Sequence, residues 1–225
     1  PEANKREQKS LGMATARDPE GVYADSYQKL RSSLEFLSLE GKVKSVMVTS
    51  PSPAEGKSTT SANLALAMSS VGRKTVLVDL DFRRATVHQI FGMRQTPGLS
   101  DFVLHGAALN GIAYSVNEPG LEDLLVVPTG SIPPNPSSFV GTKRFQETID
   151  WLETQADIVL LDTPPLLAVS DAHTIGKNVD AVVITARAGS TTKAELTEVI
   201  KAMRQVGANL VGVVLIGVEE TDGYG

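Results

Sequence analysis

The chain contains no cysteine among its 225 residues, which excludes disulfide frameworks and cysteine-ligated metals and fits a reducing compartment. It has no excess of basic residues either. The 21 Lys and Arg stand against 26 Asp and Glu, so the formal net charge is −5. Without a strong basic field, nucleic acid is not an expected partner.

Long apolar runs are also missing. The longest one, residues 210–218, would cross about half of a membrane. The first residues are polar, so no secretory signal is predicted. We expect this stretch of protein to be soluble, and a membrane anchor could lie outside it, because the sequence begins with Pro rather than Met.

The three histidines do not form a metal-binding pattern. His88, His105 and His173 stand far apart with no ligand spacing, and no Ser-His-Asp order suggests nucleophilic catalysis. Internal repeats and coiled-coil heptads are absent from the sequence. One α/β domain with a large core is therefore the natural interpretation of this length.

What the sequence does contain is a strand, a tight loop and a helix between residues 45 and 68. The β-branched residues 45–49 predict the strand, and apolar residues at helical spacing after residue 60 predict the helix. This order is the context that a phosphate-binding loop requires. Gly56 lets the backbone approach the phosphates without a Cβ in the way.

We expect the loop to bind nucleotide phosphates through backbone amides at a helix N-terminus. The residues expected to do so are Ala54, Glu55, Gly56, Lys57, Ser58 and Thr59. Lys57 would bridge the β- and γ-oxygens, and the Ser58 hydroxyl would hold Mg²⁺. The alternative is an ordinary turn between strand and helix, with the helix capped by Ser58.

Three aspartates follow predicted strands. Asp79 and Asp81 lie two residues apart after the strand at 74–79 and so share one face, and Asp162 ends the strand that starts at 157. In a parallel sheet all three would reach the carboxyl edge, where ligands bind. Carboxylates there can hold Mg²⁺ or accept a proton, and Asp162 is a good candidate to contact Mg²⁺, either directly or through one of the ion's own ligands. The alternative is a strand-end Asp that caps the next helix.

Helical patterns alternate with strands along the rest of the chain. The expected elements are short helices at 84–91 and 100–104, a variable connection at 106–120, a strand at 124–128, a helix at 137–154, and strands at 181–186 and 210–216. Asp171 is expected to cap the helix that it opens. Arg83 and Arg84 could contact phosphates, meet an acidic partner surface or be solvated.

This alternation predicts an α/β fold with a mostly parallel sheet covered by helices on both faces, a three-layer sandwich. Residues 1–20 are polar and are expected to form a linker or arm that is poorly ordered unless docked. The catalytic domain would span 21–218. Residues 219–225 would form a flexible acidic tail that carries Tyr224.

A helix is also predicted at about 23–39. Its apolar stripe of Tyr27, Leu30, Leu34 and Leu37 is expected to face the core. The opposite face, with Asp25, Gln28 and Arg31, could be solvated or could meet a neighbouring subunit. Tyr23, Tyr27 and Tyr114 are expected to be structural.

Residues 22–218 resemble the bacterial tyrosine kinases, the P-loop autokinases of capsule and exopolysaccharide production. The resemblance is carried by the loop at 53–60, by the segment Val-Asp-Leu-Asp-Phe-Arg-Arg at 78–84, and by Leu-Asp-Thr-Pro-Pro at 161–165. Its most specific part is Gly-Ser-Ile-Pro-Pro-Asn-Pro at 130–136. The order and spacing of these segments are stronger than any single one.

The resemblance implies Mg-ATP as cofactor, a ring-shaped oligomer, and phosphorylation of C-terminal tyrosines between neighbours. It implies a domain at the cytoplasmic face of the bacterial inner membrane, with a transmembrane activator in cis or in trans and polysaccharide polymerisation or export proteins as partners. The implied catalytic set is Lys57, Asp79, Asp81 and Asp162, with Ser58, Asp79 and Asp162 around Mg²⁺. Asp81 would accept the tyrosine hydroxyl proton.

The sequence departs from the family pattern in four respects. The interface helix has Asp25, Gln28 and Arg31 where Glu-x-x-Arg-x-x-Arg is common, Ala54 replaces a usual Gly, Ile216 stands where related ATPases often carry Asn, and the tail offers Tyr224 alone. Two other functions stay open at this point. One is a partition- or septum-type ATPase, against which Ser52 argues because those proteins carry Lys near that position. The other is a nucleotide-gated scaffold of a polysaccharide machine.

Overall fold

The computed structural model describes residues 13–38, 43–105 and 111–218. A seven-stranded sheet organises this part of the chain, with the strand order β3-β4-β2-β5-β1-β6-β7. The strands are β1 (Ser45–Thr49), β2 (Thr75–Asp79), β3 (Tyr114–Ser115), β4 (Leu124–Val127), β5 (Ile158–Asp162), β6 (Ala181–Arg187) and β7 (Leu210–Ile216). Every pairing is parallel except β3 with β4.

Helices cover both faces of the sheet. They are α1 (Ala14–Arg17), α2 (Val22–Ser38), α3 (Lys57–Ser69), α4 (Val87–Ile90), α5 (Leu99–His105), α6 (Pro136–Val140), α7 (Lys143–Gln155), α8 (Asp171–Lys177) and α9 (Lys193–Gln205). The predicted three-layer α/β sandwich with a mostly parallel sheet is thereby confirmed. Since crossover helices bury both faces of such a sheet, its central strands read as continuous apolar runs.

Two hydrophobic clusters form the core, one on each face. Helices α1 to α4 enclose the first, which includes Leu34, Leu64 and Val87. Helices α5 to α9 enclose the second, which includes Phe139 and Met203. Strands β1, β2 and β5 are buried along their whole length between the two clusters, so the carboxyl ends of these strands are fixed by packing from both sides.

The single helix predicted at 137–154 is wrong, because the structure has two helices there. Helix α6 ends at Val140, and Thr142 starts α7 by accepting a hydrogen bond from the Phe145 amide with its hydroxyl, at 3.2 Å. A Thr cap inside a continuous apolar pattern is a local signal that periodicity does not register. The short helix predicted at 84–91 is also trimmed, to α4.

The connection predicted over 106–120 contains a strand that the sequence pattern did not suggest. Tyr114 pairs with Val126 and Ser115 with Leu125, which adds an antiparallel edge to the sheet. Two residues are too few to show an alternating pattern. Residues 106–110 lie outside the described residues.

The folded region extends to the N-terminal side of the boundary expected at residue 21. Met13 and Thr15 are buried, and the Thr15 amide and hydroxyl both donate to the side-chain oxygen of Asn63 on α3, at 2.9 and 3.0 Å. Residues 13–16 are thus docked on the domain, while residues 17–20 are exposed. Residues 1–12 and the tail with Tyr224 lie outside the described residues.

The apolar stripe predicted for helix α2 is only partly buried. Leu34 is buried, and Tyr27 and Leu30 are half-buried, but Leu37 is 46% exposed and does not face the core. Tyr23, expected to be structural, is 64% exposed. In the described ranges, no helix combines the length and the apolar character needed to cross a membrane.

Asn63→Ala tests how firmly the N-terminal segment is docked. The change leaves the buried Thr15 amide without its acceptor, so we expect the free energy of unfolding to fall by about 1–3 kcal/mol. Urea denaturation measures this. Ser33→Ala, which removes an exposed hydroxyl from α2, is the control and should change it by less than about 0.5 kcal/mol. Equal midpoints for the Asn63 variant and the parent would contradict the docking.

Candidate active site

The predicted phosphate loop connects β1 to α3 at the carboxyl edge of the sheet. Gly56 precedes the first helical residue with φ 75°, and a Cβ there would collide with Cδ1 of Ile216. The left-handed backbone is what favours glycine at position 56, because the Ile216 side-chain end could move aside for a Cβ. Ala54 also has a positive φ, 65°, although it carries a Cβ.

Glu55 holds this loop in shape with its side chain. The carboxylate is buried, accepts from the Ser52 amide at 2.7 Å, and accepts from the Thr191 hydroxyl. Thr191 follows β6, so the loop is tied to the next strand's end. The side chain of Glu55 is thus engaged within the protein, and what the loop can offer a ligand is backbone amides.

Lys57 lies at the start of α3 in a buried ion pair. Its Nζ donates to Oδ2 of Asp81 at 2.8 Å, and both side chains are at most 10% exposed. Burial alone lowers the pKa of Lys57, but the carboxylates of Asp162, Asp81 and Asp79 outweigh it, and the pKa is raised. Lys57 is therefore a fixed cation among three carboxylates.

Asp79 ends β2 and is held by backbone amides. Its carboxylate accepts from the amides of Asp81, Thr86 and Val87, each at 3.1 Å. Burial, followed by the nearby charge of Asp162, raises the pKa of Asp79 well above its ordinary value. This residue fixes the path of the chain after β2, and so it positions Asp81.

Asp162 ends β5 beside β1, and its carboxylate is only half satisfied. The Ser61 hydroxyl donates to Oδ1 at 3.3 Å, while Oδ2 is buried and has no hydrogen-bond partner in the described part of the chain. Burial raises the pKa of Asp162, and Lys57 and the Ser58 hydroxyl oppose that shift. Ser61 was missed from the sequence, although it lies one helical turn after Lys57.

These residues fit a magnesium ion that is shared with a phosphate. An unpartnered carboxylate oxygen at Asp162 and the hydroxyl of Ser58 are hard oxygen donors. No group of three or more His, Cys, Asp or Glu in the described ranges is arranged to hold a metal by itself. That agrees with Mg²⁺, which is usually bound by one or two carboxylates together with waters and substrate phosphates.

Asp171 links three loops around the site instead of capping α8 as predicted. The N-cap position belongs to Ser170, and the buried Asp171 carboxylate accepts from Arg83 and from the Ser137 hydroxyl. Arg83 comes from the loop after β2 and Ser137 from α6. Arg83 is therefore occupied by a protein carboxylate rather than free for phosphates.

The residues expected at an oligomer interface lie on α2, and the structure does not bring them to the site. Asp25 pairs with Lys29 at 2.6 Å, and Arg31 donates to Gln28 at 2.8 Å and to Glu35. All of these contacts are within the helix. Tyr224, the expected phosphoacceptor, is outside the described residues.

The fold and the site define a P-loop NTPase. A family model described as "ParA: NUBPL iron-transfer P-loop NTPase" matches residues 42–215, and the chain belongs to this family. The chain has no cysteine with which to ligate an iron–sulfur cluster.

Within that family the chain belongs to the bacterial tyrosine kinases. It is 35% identical over 200 residues to the tyrosine-protein kinase YwqD of Bacillus subtilis, covering 89% of this chain and 83% of that protein. It is 34% identical to a putative tyrosine-protein kinase in the cps region of Klebsiella pneumoniae, covering 95% of this chain but only 29% of that protein. The kinase domain of the Escherichia coli tyrosine kinase ETK superposes with a TM-score of 0.86 at 30% identity, over 94% of this chain and 82% of that chain.

Asp162→Asn tests the buried charge at the end of β5. A carboxyl whose folded pKa is raised stabilises the fold fully only below its unfolded pKa, about 3.9, and that stability is lost as pH rises through the folded pKa. The Asn side chain of the variant does not ionise, so the variant does not lose this stability as pH rises. We expect the variant to unfold at a higher temperature than the parent at pH 8 without divalent cations, with the gap closing toward pH 4.

Thermal unfolding in a chelator at pH 4 to 8 measures this, and the exposed Asp150→Asn serves as control. A variant that melts below the parent at pH 8 would contradict the assignment of Asp162 as a desolvated, half-satisfied carboxylate.

Ala54→Gly tests the strain in the phosphate loop. A residue with a Cβ costs roughly 1–2 kcal/mol when its backbone is left-handed, and glycine removes that cost. Glycine also makes the unfolded chain more flexible, which offsets part of the gain in the free energy of unfolding. We expect a net stabilisation of about 0.5–1 kcal/mol by urea denaturation. The same substitution at Ala62, inside α3, should destabilise by about 1 kcal/mol. Destabilisation at both positions would contradict the strain.

Proposed function

We propose that this chain is an ATP-dependent protein-tyrosine autokinase that regulates polysaccharide synthesis or export. The observation that carries the proposal is the buried set of Lys57, Asp81 and Asp162 at the N-terminus of α3. Such a set can neutralise terminal phosphates, hold a magnesium ion and accept a proton within one small volume. Membership in the bacterial tyrosine kinases supports the acceptor being tyrosine.

Each residue has a distinct part in the proposed transfer. The amides of residues 54–59 bind the β-phosphate, and Lys57 leaves Asp81 to contact the β- and γ-oxygens. Ser58 and Asp162 would hold Mg²⁺, with Asp79 beside them, and the ion would neutralise charge on the phosphates. Asp79 also fixes the chain at Asp81, whose amide donates to the Asp79 carboxylate. Asp81 accepts the proton of the tyrosine hydroxyl.

The acceptor in this proposal is Tyr224 of a neighbouring copy, so the active form is a ring-shaped oligomer. Asp25, Gln28 and Arg31 on α2 would lie at its interface, where their contacts within the helix would have to be shared with the neighbour. A transmembrane activator, in cis or in trans, would hold the domain at the cytoplasmic face of the inner membrane beside polysaccharide polymerisation or export proteins.

The comparisons favour the kinase over a partition- or septum-type ATPase, because relatives at 30–35% identity over most of the chain carry the kinase name. The residue at position 52 also favours the kinase, because partition- and septum-type ATPases carry Lys near this position. Ser52 lacks a cationic group, and its amide donates to Glu55 and its hydroxyl to Glu195. A nucleotide-gated scaffold without transfer activity is separated from the kinase by the experiment below.

The test follows phosphotyrosine on the protein with Mg-ATP, and phosphate release in parallel. We expect phosphotyrosine in the parent, at least about a 100-fold slower transfer in Lys57→Met, and a strong loss in Asp81→Asn, because each removes one charged group from the transfer site. Tyr224→Phe should lose the modification while retaining nucleotide binding.

Two outcomes would overturn the proposal. Phosphate release with no phosphotyrosine would mean a plain ATPase, and nucleotide binding with neither product would mean a scaffold. Circular dichroism of the Lys57→Met protein shows whether the fold is intact, so that a lost rate can be assigned to chemistry.

A further inference from the structure

Two arginines follow closely after Asp81, the carboxylate that is proposed to accept the tyrosine proton. The backbone amides of Arg83 and Arg84 both donate to Oδ1 of Asp81, at 3.3 and 2.9 Å. The carbonyl of Asp81 also accepts from the Arg84 amide, at 3.2 Å, so residues 81–84 form a tight turn around the carboxylate. A group that reaches Asp81 from solvent therefore comes within side-chain reach of both guanidinium groups.

The two guanidinium groups differ in their partners. Arg83 forms an ion pair with the buried carboxylate of Asp171, which also accepts from the Ser137 hydroxyl. This pair neutralises Arg83 and joins the turn to α6 and α8. None of the residues that the structure describes forms a hydrogen bond or an ion pair with the side chain of Arg84, and Arg84 is exposed. A cation without a counter-ion is thus held beside the proton acceptor by its own backbone.

The sequence carries acidic residues next to the tyrosine that is proposed as acceptor. Glu219, Glu220 and Asp222 precede Tyr224, and residues 219–225 contain no Lys, Arg or His. In an extended segment, residues two to five positions apart are separated by roughly 7–18 Å. When the tyrosine hydroxyl lies at its proton acceptor, carboxylates at this spacing come within reach of a guanidinium group that borders the acceptor.

We propose that Arg84 selects acceptor segments in which acidic residues precede the tyrosine. The inference rests on tyrosine phosphorylation as proposed above, and it names the substrate class of that site. A guanidinium group attracts carboxylates and can bind one through two parallel hydrogen bonds. Because Arg84 is exposed, this attraction is screened by salt, and it acts on the binding of the acceptor segment.

The experiment compares the binding of two labelled peptides to the full chain. The first peptide has the sequence of residues 218–225, and the second carries Glu219→Gln, Glu220→Gln and Asp222→Asn. Fluorescence anisotropy with Mg-ADP present gives both dissociation constants without any phosphate transfer. For the parent at low ionic strength we expect about 3- to 10-fold tighter binding of the acidic peptide, and less than about a twofold difference at about 0.5 M salt.

The side chain of Arg84 can be changed without removing the amide that holds Asp81. Arg84→Gln should therefore bind the acidic and neutral peptides equally, within about twofold. Arg84→Glu should reverse the preference. A third peptide with Glu219→Lys, Glu220→Lys and Asp222→Lys should bind to that variant more tightly than the acidic peptide does.

Arg204→Gln is the matched control. Arg204 is an exposed residue in the last turn of α9, at the edge of the sheet opposite to the carboxyl ends of the strands. The variant loses one positive charge, as Arg84→Gln does, and should retain the full preference for the acidic peptide. Melting temperatures show that each variant is folded.

Two results would overturn the selection by Arg84. Equal binding of the acidic and neutral peptides by the parent, or no binding of either, would mean that the site does not read the acidic residues. A preference that persists in Arg84→Gln would place the selection on another group. Failure of the proposed function is a separate result, because it is the absence of phosphotyrosine with Mg-ATP, whereas the peptide preference is measured with Mg-ADP.

Discussion

The site depends on one cation balanced against three buried carboxylates. Of the basic side chains in residues 13–38, 43–105 and 111–218, Lys57 is the one that lies among Asp79, Asp81 and Asp162. Desolvated charges are stable only when they are paired or hydrogen-bonded. Each carboxylate meets that requirement differently, and the differences assign their roles.

Asp79 is stabilised by three backbone amides, and Asp81 by Lys57 together with the amides of Arg83 and Arg84. Oδ1 of Asp162 accepts from the Ser61 hydroxyl, the Ser58 hydroxyl is near enough to lower the pKa of this carboxyl, and Oδ2 has no hydrogen-bond partner among the described residues. The carboxylate with the fewest hydrogen-bond donors is therefore the one that borders the phosphate loop. A divalent cation that prefers oxygen and carries its own waters offsets that lack of donors without any further protein ligand.

Polar contacts between loops fix this arrangement from two sides. Glu55 and Thr191 tie the phosphate loop to the end of β6, and Asp171 ties the loop after β2 to α6. The strands themselves are rigid because both faces are buried. Reacting groups that are held before the ligand arrives cost little reorganisation during the reaction, which is the main source of catalysis in phosphoryl transfer.

The sequence pattern predicted the regular alternation of strands and helices. It did not predict the features that depend on single side chains. Buried parallel strands are continuous apolar runs, so their ends, and with them Asp79 and Asp162, could be placed from the pattern. The break before Thr142 depends on one local hydrogen bond, from the Phe145 amide to the Thr142 hydroxyl. The role of Asp171 depends on hydrogen bonds between segments that are distant in the sequence. The strand pattern indicates that Arg187 lies at the end of β6, on the edge of the sheet where ligands bind. No local pattern indicates the hydrogen bond from its side chain to the Ala54 carbonyl, because the two residues are 133 positions apart.

The pairing of Lys57 with Asp81 has a further consequence for the proposed kinase. In this structure Asp81 Oδ2 is held by the same Nζ that the phosphates would need. A nucleotide that draws Lys57 away therefore exposes the carboxylate that would take the tyrosine proton. Because the exchange would use one ion pair, the proposed proton acceptor would become available when the phosphate donor is in place. Tyrosine binding without nucleotide would meet an Asp81 whose Oδ2 is already paired with Lys57.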